Sequence, residues 1–131
     1  MKLTMEDISL MNALERVTGV SAKDCIAQEN VVSFLVNSRD VGKAIGKGAV
    51  NVKLLEDKLK KKIEIVGYKE NPEDVVCDAL EVKIKGASKK EGRLFISLDG
   101  TEKRKALSNI GRVKRLREFM KRNFGLEMIL S

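Results

Sequence analysis

Val41-Gly42-Lys43-Ala44-Ile45-Gly46-Lys47-Gly48-Ala49-Val50-Asn51-Val52-Lys53 is the stretch on which the reading of this chain turns. Its first part ends a short apolar helix at Ile45. Its last part opens a second helix, with Val52, Leu55 and Leu59 on one face. Three small residues and a lysine lie between them. The first amides of the second helix lack intrahelical partners and carry the positive end of the helix dipole. Gly46 and Gly48 have no Cβ, so an anion can approach the main chain. Lys47 adds charge at the tip, and Asn51 and Lys53 lie on the next turn. Such a loop suits a phosphate.

Working outward, the flanking segments recur. Val31-Val32-Ser33-Phe34-Leu35-Val36, a β-rich run, precedes the loop, and Arg93-Leu94-Phe95-Ile96-Ser97-Leu98 is its partner further on. Val36 and Leu98 are 62 positions apart, as are Ala44 and Ala106. Val52-Lys53 and Val113-Lys114 differ by 61, and Ile63-Glu64-Ile65 and Leu126-Glu127-Met128 by 63. Two copies of one supersecondary unit account for this pattern.

In the first copy Thr4 caps a helix carrying Ile8, Met11, Leu14 and Val17 at helical spacing, and Gly19 ends it. Lys23–Gln28 and Val31–Val36 read as strands joined by a tight Glu29-Asn30 turn. A short helix from Ser38 to Ile45, the loop, a helix over Val50–Lys60 and a strand over Lys62–Val66 complete an α-β-β-α-α-β order. In the second copy Asn71-Pro72 starts a helix. Glu81–Lys85 and Arg93–Leu98 are expected to form a hairpin around Lys89-Lys90-Glu91-Gly92. Helices then run near Thr101–Leu107 and Gly111–Phe124, before a strand over Leu126–Leu130. The two-helix crossover in each copy permits parallel pairing of the last two strands. The expected fold class is α/β in the α+β sense, with helices packed on a three-stranded sheet in each domain. The domains are residues 1–67 and 68–131, with a linker around Gly67-Tyr68-Lys69-Glu70-Asn71. Val32, Phe34, Val36, Val52 and Leu55 are the expected core of the first.

The chain has 131 residues and a net charge of +7. Residues 1–67 carry 11 Lys and Arg against 9 Asp and Glu, whereas residues 68–131 carry 15 against 10. From Lys103 to Arg122 nine basic residues face one acid, Glu118, a balance that suits a polyanion. There is no histidine, so the commonest general base and metal ligand are missing, and no enzyme or metal site is expected. Cys25 and Cys77 are too few for a zinc site and are expected as free thiols. No apolar run approaches the ~20 residues of a membrane span, and Met1–Asp7 lacks the features of a signal peptide. A cytoplasmic monomer that holds no cofactor is expected.

Ile45-Gly46-Lys47-Gly48-Ala49-Val50-Asn51-Val52 resembles the I-G-x-x-G-x-x-[IV] signature of KH domains. The loop of those domains clamps about four nucleotides of single-stranded nucleic acid. The element order resembles the prokaryotic, type II form, and two such domains in tandem resemble the archaeal NusA-like transcription factors. The resemblance implies single-stranded RNA as partner and a role in transcription elongation or termination. It implies RNA contacts from Ile45, Gly46, Lys47, Gly48, Ala49, Asn51 and Lys53. The polymerase-binding and S1 domains of bacterial relatives do not fit in this length, so the resemblance does not carry polymerase contact over, and RNA polymerase is kept only as a partner to test. Ala49 stands where the signature has its second glycine. Alanine starts a helix well, so the loop is expected to keep its function. In the second copy the aligned loop is Ser108-Asn109-Ile110-Gly111, with Arg112, Lys114 and Arg115 directly behind it. Ser108, Asn109, Gly111, Arg112 and Arg115 are the candidate RNA contacts there.

Among rival readings, a P-loop needs G-x-x-x-x-G-K-[ST], and here the spacing is one residue short and Gly48 follows Lys47. This argues against a nucleotide-binding enzyme. A ribosome- or rRNA-associated KH protein remains an alternative that sequence does not separate from a transcription factor. A duplex-DNA reader lacks its helix-turn-helix pattern.

Overall fold

Two runs of α-β-β-α-α-β follow one another in the computed structural model, which describes residues 3–131. One compact unit ends at Tyr68, and the other spans Lys69–Ser131.

In the first unit, α1 (Met5–Thr18) begins with a reciprocal cap: Asp7 N–H donates to Thr4 Oγ1 and Thr4 N–H to Asp7 Oδ2, both at 3.0 Å. Gly19 ends the helix in the left-handed region, φ 74°. Strands β1 (Asp24–Gln28) and β2 (Val31–Asn37) are antiparallel across the Glu29-Asn30 turn, pairing Gln28 with Val31. A single 3₁₀ turn at Ser38–Asp40 leads into α2 (Val41–Ile45), and α3 (Val50–Leu59) follows the loop. Strand β3 (Lys62–Tyr68) pairs parallel with β2, Val32 opposite Ile63, giving sheet order β1-β2-β3. Alternate β2 residues Val32, Phe34 and Val36 are fully buried with Leu14, Val20, Ala44 and Leu55, so the helices cover one sheet face. Val52 is only half-buried.

The second unit repeats the plan with α4 (Pro72–Leu80), β4 (Gly86–Lys90), β5 (Arg93–Ser97), α5 (Gly100–Leu107), α6 (Ile110–Phe124) and β6 (Glu127–Leu130). Its sheet order is β4-β5-β6, again with an antiparallel hairpin and a parallel third strand. Leu94 and Ile96 of β5 are buried, as are Val76 and Leu80 of α4 and Val113, Leu116, Phe119 and Met120 of α6.

Four sequence expectations require correction. The first hairpin strand of the second unit is Gly86–Lys90, not Glu81–Lys85. Glu91 and Gly92 take positive φ (52° and 76°) and make the turn alone, so Lys89 and Lys90 belong to the strand. Glu81 instead ends α4 in the left-handed region. Ile110 and Gly111 lie inside α6 rather than in a loop, because Asn109 caps the helix directly before them. The last strands correspond at 65 positions, since Val32 pairs with Ile63 and Leu94 with Met128. Between Leu55 or Leu116 and the closing strand, α6 supplies one helical turn more than α3, which shifts the register by an even number and keeps the same face inward. Finally, β3 continues through Tyr68, so Gly67 and Tyr68 are strand rather than linker.

Neither Cys25 nor Cys77 is in a disulfide. No helix among the described residues is long and apolar enough to cross a membrane, and none of their His, Cys, Asp and Glu side chains group as a metal site.

Candidate nucleic-acid interface

The loop between α2 and α3 is built from backbone conformations that most side chains avoid. Gly46 sits at φ 79°, ψ 163°, a region open essentially to glycine alone. A Cβ there would stand 2.9 Å from Val50 Cγ1 and 3.0 Å from Asn51 N. Glycine is thus required twice, by conformation and by the close approach of α3's first turn. Gly48 (62°, 25°) and Ala49 (62°, 27°) are both left-handed. Ala49 is the residue before the helix rather than its first member. The ease with which alanine starts a helix therefore does not describe this position. It bears a left-handed cost of about 1–2 kcal/mol that glycine would avoid.

Local hydrogen bonds hold this shape. Gly46 N–H donates to Gly42 O at 2.9 Å and Ala49 N–H to Gly46 O at 3.0 Å. Asn51 Nδ2 donates to Lys43 O at 2.9 Å, tying the start of α3 to α2 across the loop. Asn51 is therefore a positioning residue for the loop. Lys43 turns away, its Nζ 3.4 Å from where a Cβ of Gly19 would stand, beside the negative C-terminal end of α1. Lys47 and Lys53 are exposed, Ile45 is half-buried, and α3 has no side-chain cap. No side chain covers the helix N-terminus, although its first amide, Val50 N–H, donates to Lys47 O within the loop. Val50 and Leu54, 48% and 53% exposed, add an aliphatic flank beside it. The sequence reading passed over them, although their spacing of four, off the Val52-Leu55-Leu59 face, was visible.

The corresponding place in the second unit is closed. Only Ser108 and Asn109 separate α5 from α6, with φ −65° and −128°. Ser108 Oγ donates to Lys105 O at 2.7 Å, and Asn109 Oδ1 accepts from Arg112 N–H at 3.0 Å. The helix end is thus satisfied from within. Arg115 is 6% exposed, and its Nη1 would lie 3.0 Å from a Cβ on Gly111. Gly111 makes room for that buried guanidinium, and Arg112 is half-buried. The five candidate residues of this unit are adjacent, but they do not form an open cradle.

Fold and site together define a pair of repeated three-stranded α+β units, of which one carries an open, cationic helix N-terminus behind a glycine loop. No protein-family model matches the chain. A protein of Methanocaldococcus jannaschii named probable transcription termination protein NusA is 40% identical over 70 residues, covering 53% of this chain and 38% of that protein. A Halococcus morrhuae protein of the same name is 34% identical over 82 residues, covering 61% of this chain and 59% of its own length. The chain thus matches less than two thirds of each of these relatives. A solved structure titled "Crystal structure of APE1850" superposes with a TM-score of 0.84 at 32% identity, covering 98% of this chain and 100% of that one. The chain belongs to the same family as that protein, and the curated relatives that match more than half of it carry the name probable transcription termination protein NusA.

Proposed function

We propose that the chain is a non-enzymatic RNA-binding factor of transcription termination or elongation, in which two type II KH domains, one ending at Tyr68 and the other spanning Lys69–Ser131, lie in tandem. The first holds single-stranded RNA through Gly46-Lys47-Gly48-Ala49. The observation that carries this reading is the uncapped N-terminus of α3 behind a loop whose Gly46 conformation admits no side chain. A phosphate accepts from amides of the first turn of α3 beyond Val50, whose N–H donates to Lys47 O, while Lys47 and Lys53 supply charge. Val50, Leu54 and the half-buried Ile45 give the bases an apolar surface, in keeping with a chain that has only five aromatic residues. The relatives' names supply the link to termination, and RNA polymerase enters as a partner by the same route.

The test is a double replacement, Lys47→Asp with Gly48→Asp, assayed by fluorescence anisotropy with unstructured RNA. Two carboxylates at the tip repel phosphate, and affinity is expected to fall at least about tenfold, or ~1.4 kcal/mol. Wild-type affinity in a variant with native circular dichroism overturns the assignment.

A further inference from the structure

Each sheet has two outer strands, and in three of the four a side chain takes a main-chain group. Glu56 Oε2 accepts from Ile63 N–H of β3 at 3.1 Å, and Arg117 Nε donates to Met128 O of β6 at 3.2 Å. In β1, Asp24 Oδ1 accepts from Cys25 N–H at 2.8 Å. Covered edges resist pairing with foreign strands.

Among the described residues β4 is the exception. The two-residue turn at Glu91-Gly92 makes Lys90 and Arg93 a pair that exchanges both main-chain bonds. Ser88 and Gly86 then also bond inward, while Ala87 and Lys89 point their N–H and C=O away from β5. Gln28 pairs with Val31 as Lys90 does with Arg93, so Cys25 stands at the place of Ala87. What differs is the residue before it: Asp24 in β1, but Gly86 in β4, which has no side chain to turn back. The covering carboxylate is missing and the edge lies open. Asp24, Cys25 and Ile26 are buried, whereas Gly86–Lys90 is exposed throughout.

The charge around this edge is one-sided. Residues 82–90 hold Lys83, Lys85, Lys89 and Lys90 and no acid, whereas the matching residues 20–28 hold one lysine, Lys23, and one acid, Asp24. All four lysines are exposed, and none makes an ion pair among the described residues. Lysines on an edge repel most incoming strands, a second copy of this one included, but they attract an acidic strand.

We propose that β4 is the docking edge for an extended acidic segment of a protein partner, which joins the sheet as its fourth strand. Ala87 and Lys89 exchange main-chain hydrogen bonds with the segment, and the lysines select its carboxylates. A nucleic-acid strand offers no alternating donors and acceptors at strand spacing, so the open backbone favours protein over RNA here. This edge does not involve the Gly46 loop.

The probe is a fluorescein-labelled octapeptide alternating glutamate and threonine, read by anisotropy with the full chain at low salt. Saturable binding is expected, with slower amide hydrogen exchange at Ala87 and Lys89. Gly86→Asp restores the arrangement of β1, and a Cβ there meets nothing within 4 Å, so the fold should persist. Ala87→Pro removes an outward N–H and leaves the ladder to β5 whole. Each variant should weaken the peptide about tenfold, as expected for one to two lost hydrogen bonds. Undiminished binding in both, with native circular dichroism, overturns the proposal. So does equal binding of the peptide with lysine for glutamate, or displacement of the peptide by unstructured RNA, which would mark the edge as a nucleic-acid surface. A dimer in sedimentation that Gly86→Asp dissolves makes a second copy the occupant and also overturns it. Peptide binding should survive Lys47→Asp with Gly48→Asp, so failure of the RNA reading leaves the docking edge standing.

Discussion

The loop geometry ranks three substitutions that look alike on paper. Gly46→Ala forces a Cβ into a region costing about 1–3 kcal/mol for a non-glycine residue. It also presses that atom to 2.9 Å from Val50 Cγ1 and 3.0 Å from Asn51 N, where overpacking adds about 1–3 kcal/mol. A total near 3 kcal/mol is expected. The displaced turn also loosens the bond from Asn51 to Lys43 O. Gly48→Ala meets nothing within 4 Å, so only the left-handed backbone opposes it. That cost of about 1–2 kcal/mol is reduced by the lower entropy of the unfolded chain, leaving roughly 0.5–1 kcal/mol. Ala49→Gly should stabilise by the same amount, since Ala49 already stands at φ 62°. The single tyrosine, Tyr68, lies in β3 beneath the Lys23 ammonium at 4.6 Å, so its fluorescence reports the first unit during urea unfolding. With a slope of about 1 kcal/mol per molar, the midpoints should move down by about 3 M, down by about 0.5–1 M and up by about 0.5–1 M. A Gly46→Ala midpoint no lower than that of Gly48→Ala, or a destabilised Ala49→Gly, refutes the reasoning.

Asn109→Ala removes the cap of α6 and should cost about 1 kcal/mol of stability, read by circular dichroism in urea, with RNA affinity unchanged. Leu55→Ala opens the fully buried centre of the first unit and should cost about 2–5 kcal/mol, visible in the Tyr68 transition. Burial, followed by the charges of Asp74, Asp78 and Glu73, raises the Cys77 thiol above its ordinary value of 9.0. The unfolded chain therefore ionises this thiol first. The contribution to stability is constant below pH 9.0 and declines as pH rises toward and through the raised native value. Alkylation of Cys77 at pH 8 should be slower in the native protein than in urea, and equal rates would contradict its burial.

Wherever one residue type had a single conformational use, the sequence could be read directly. Asn71-Pro72, Gly19 and the alternating Val32, Phe34 and Val36 lie where their chemistry requires. The second hairpin was misread because Lys83, Ile84 and Lys85 imitate strand alternation, while the true strand, Gly86-Ala87-Ser88-Lys89-Lys90, is exposed throughout and lacks an apolar face. Its position is set by pairing with β5, a long-range contact with no local signature. For the site, Gly46 and Lys47 were visible as a motif. That Asn109 would close the second loop was not, because a cap and a ligand contact use the same side-chain oxygen.

The duplicated chain supplies its own control for telling structural strain from functional strain. Positive φ recurs at matching places in both units. Gly19 and Glu81 end α1 and α4, Glu29 and Glu91 turn the hairpins, and Lys60 and Gly125 end α3 and α6. A conformation kept in both copies is one that the fold needs. Gly92 is unmatched, but it completes a hairpin turn that the first unit makes with Asn30. Gly46, Gly48 and Ala49 are the other three without a counterpart, and they fall within four consecutive positions. Ser108 and Asn109 join the same two helices with no positive φ at all, so the connection itself does not require it. Three positive-φ residues within one four-residue loop, one of them the non-glycine Ala49, raise the energy of the first unit by an amount that the second shows to be avoidable. Strain of this kind clusters at ligand clamps, and of the two loops only this one is followed by a helix without a side-chain cap.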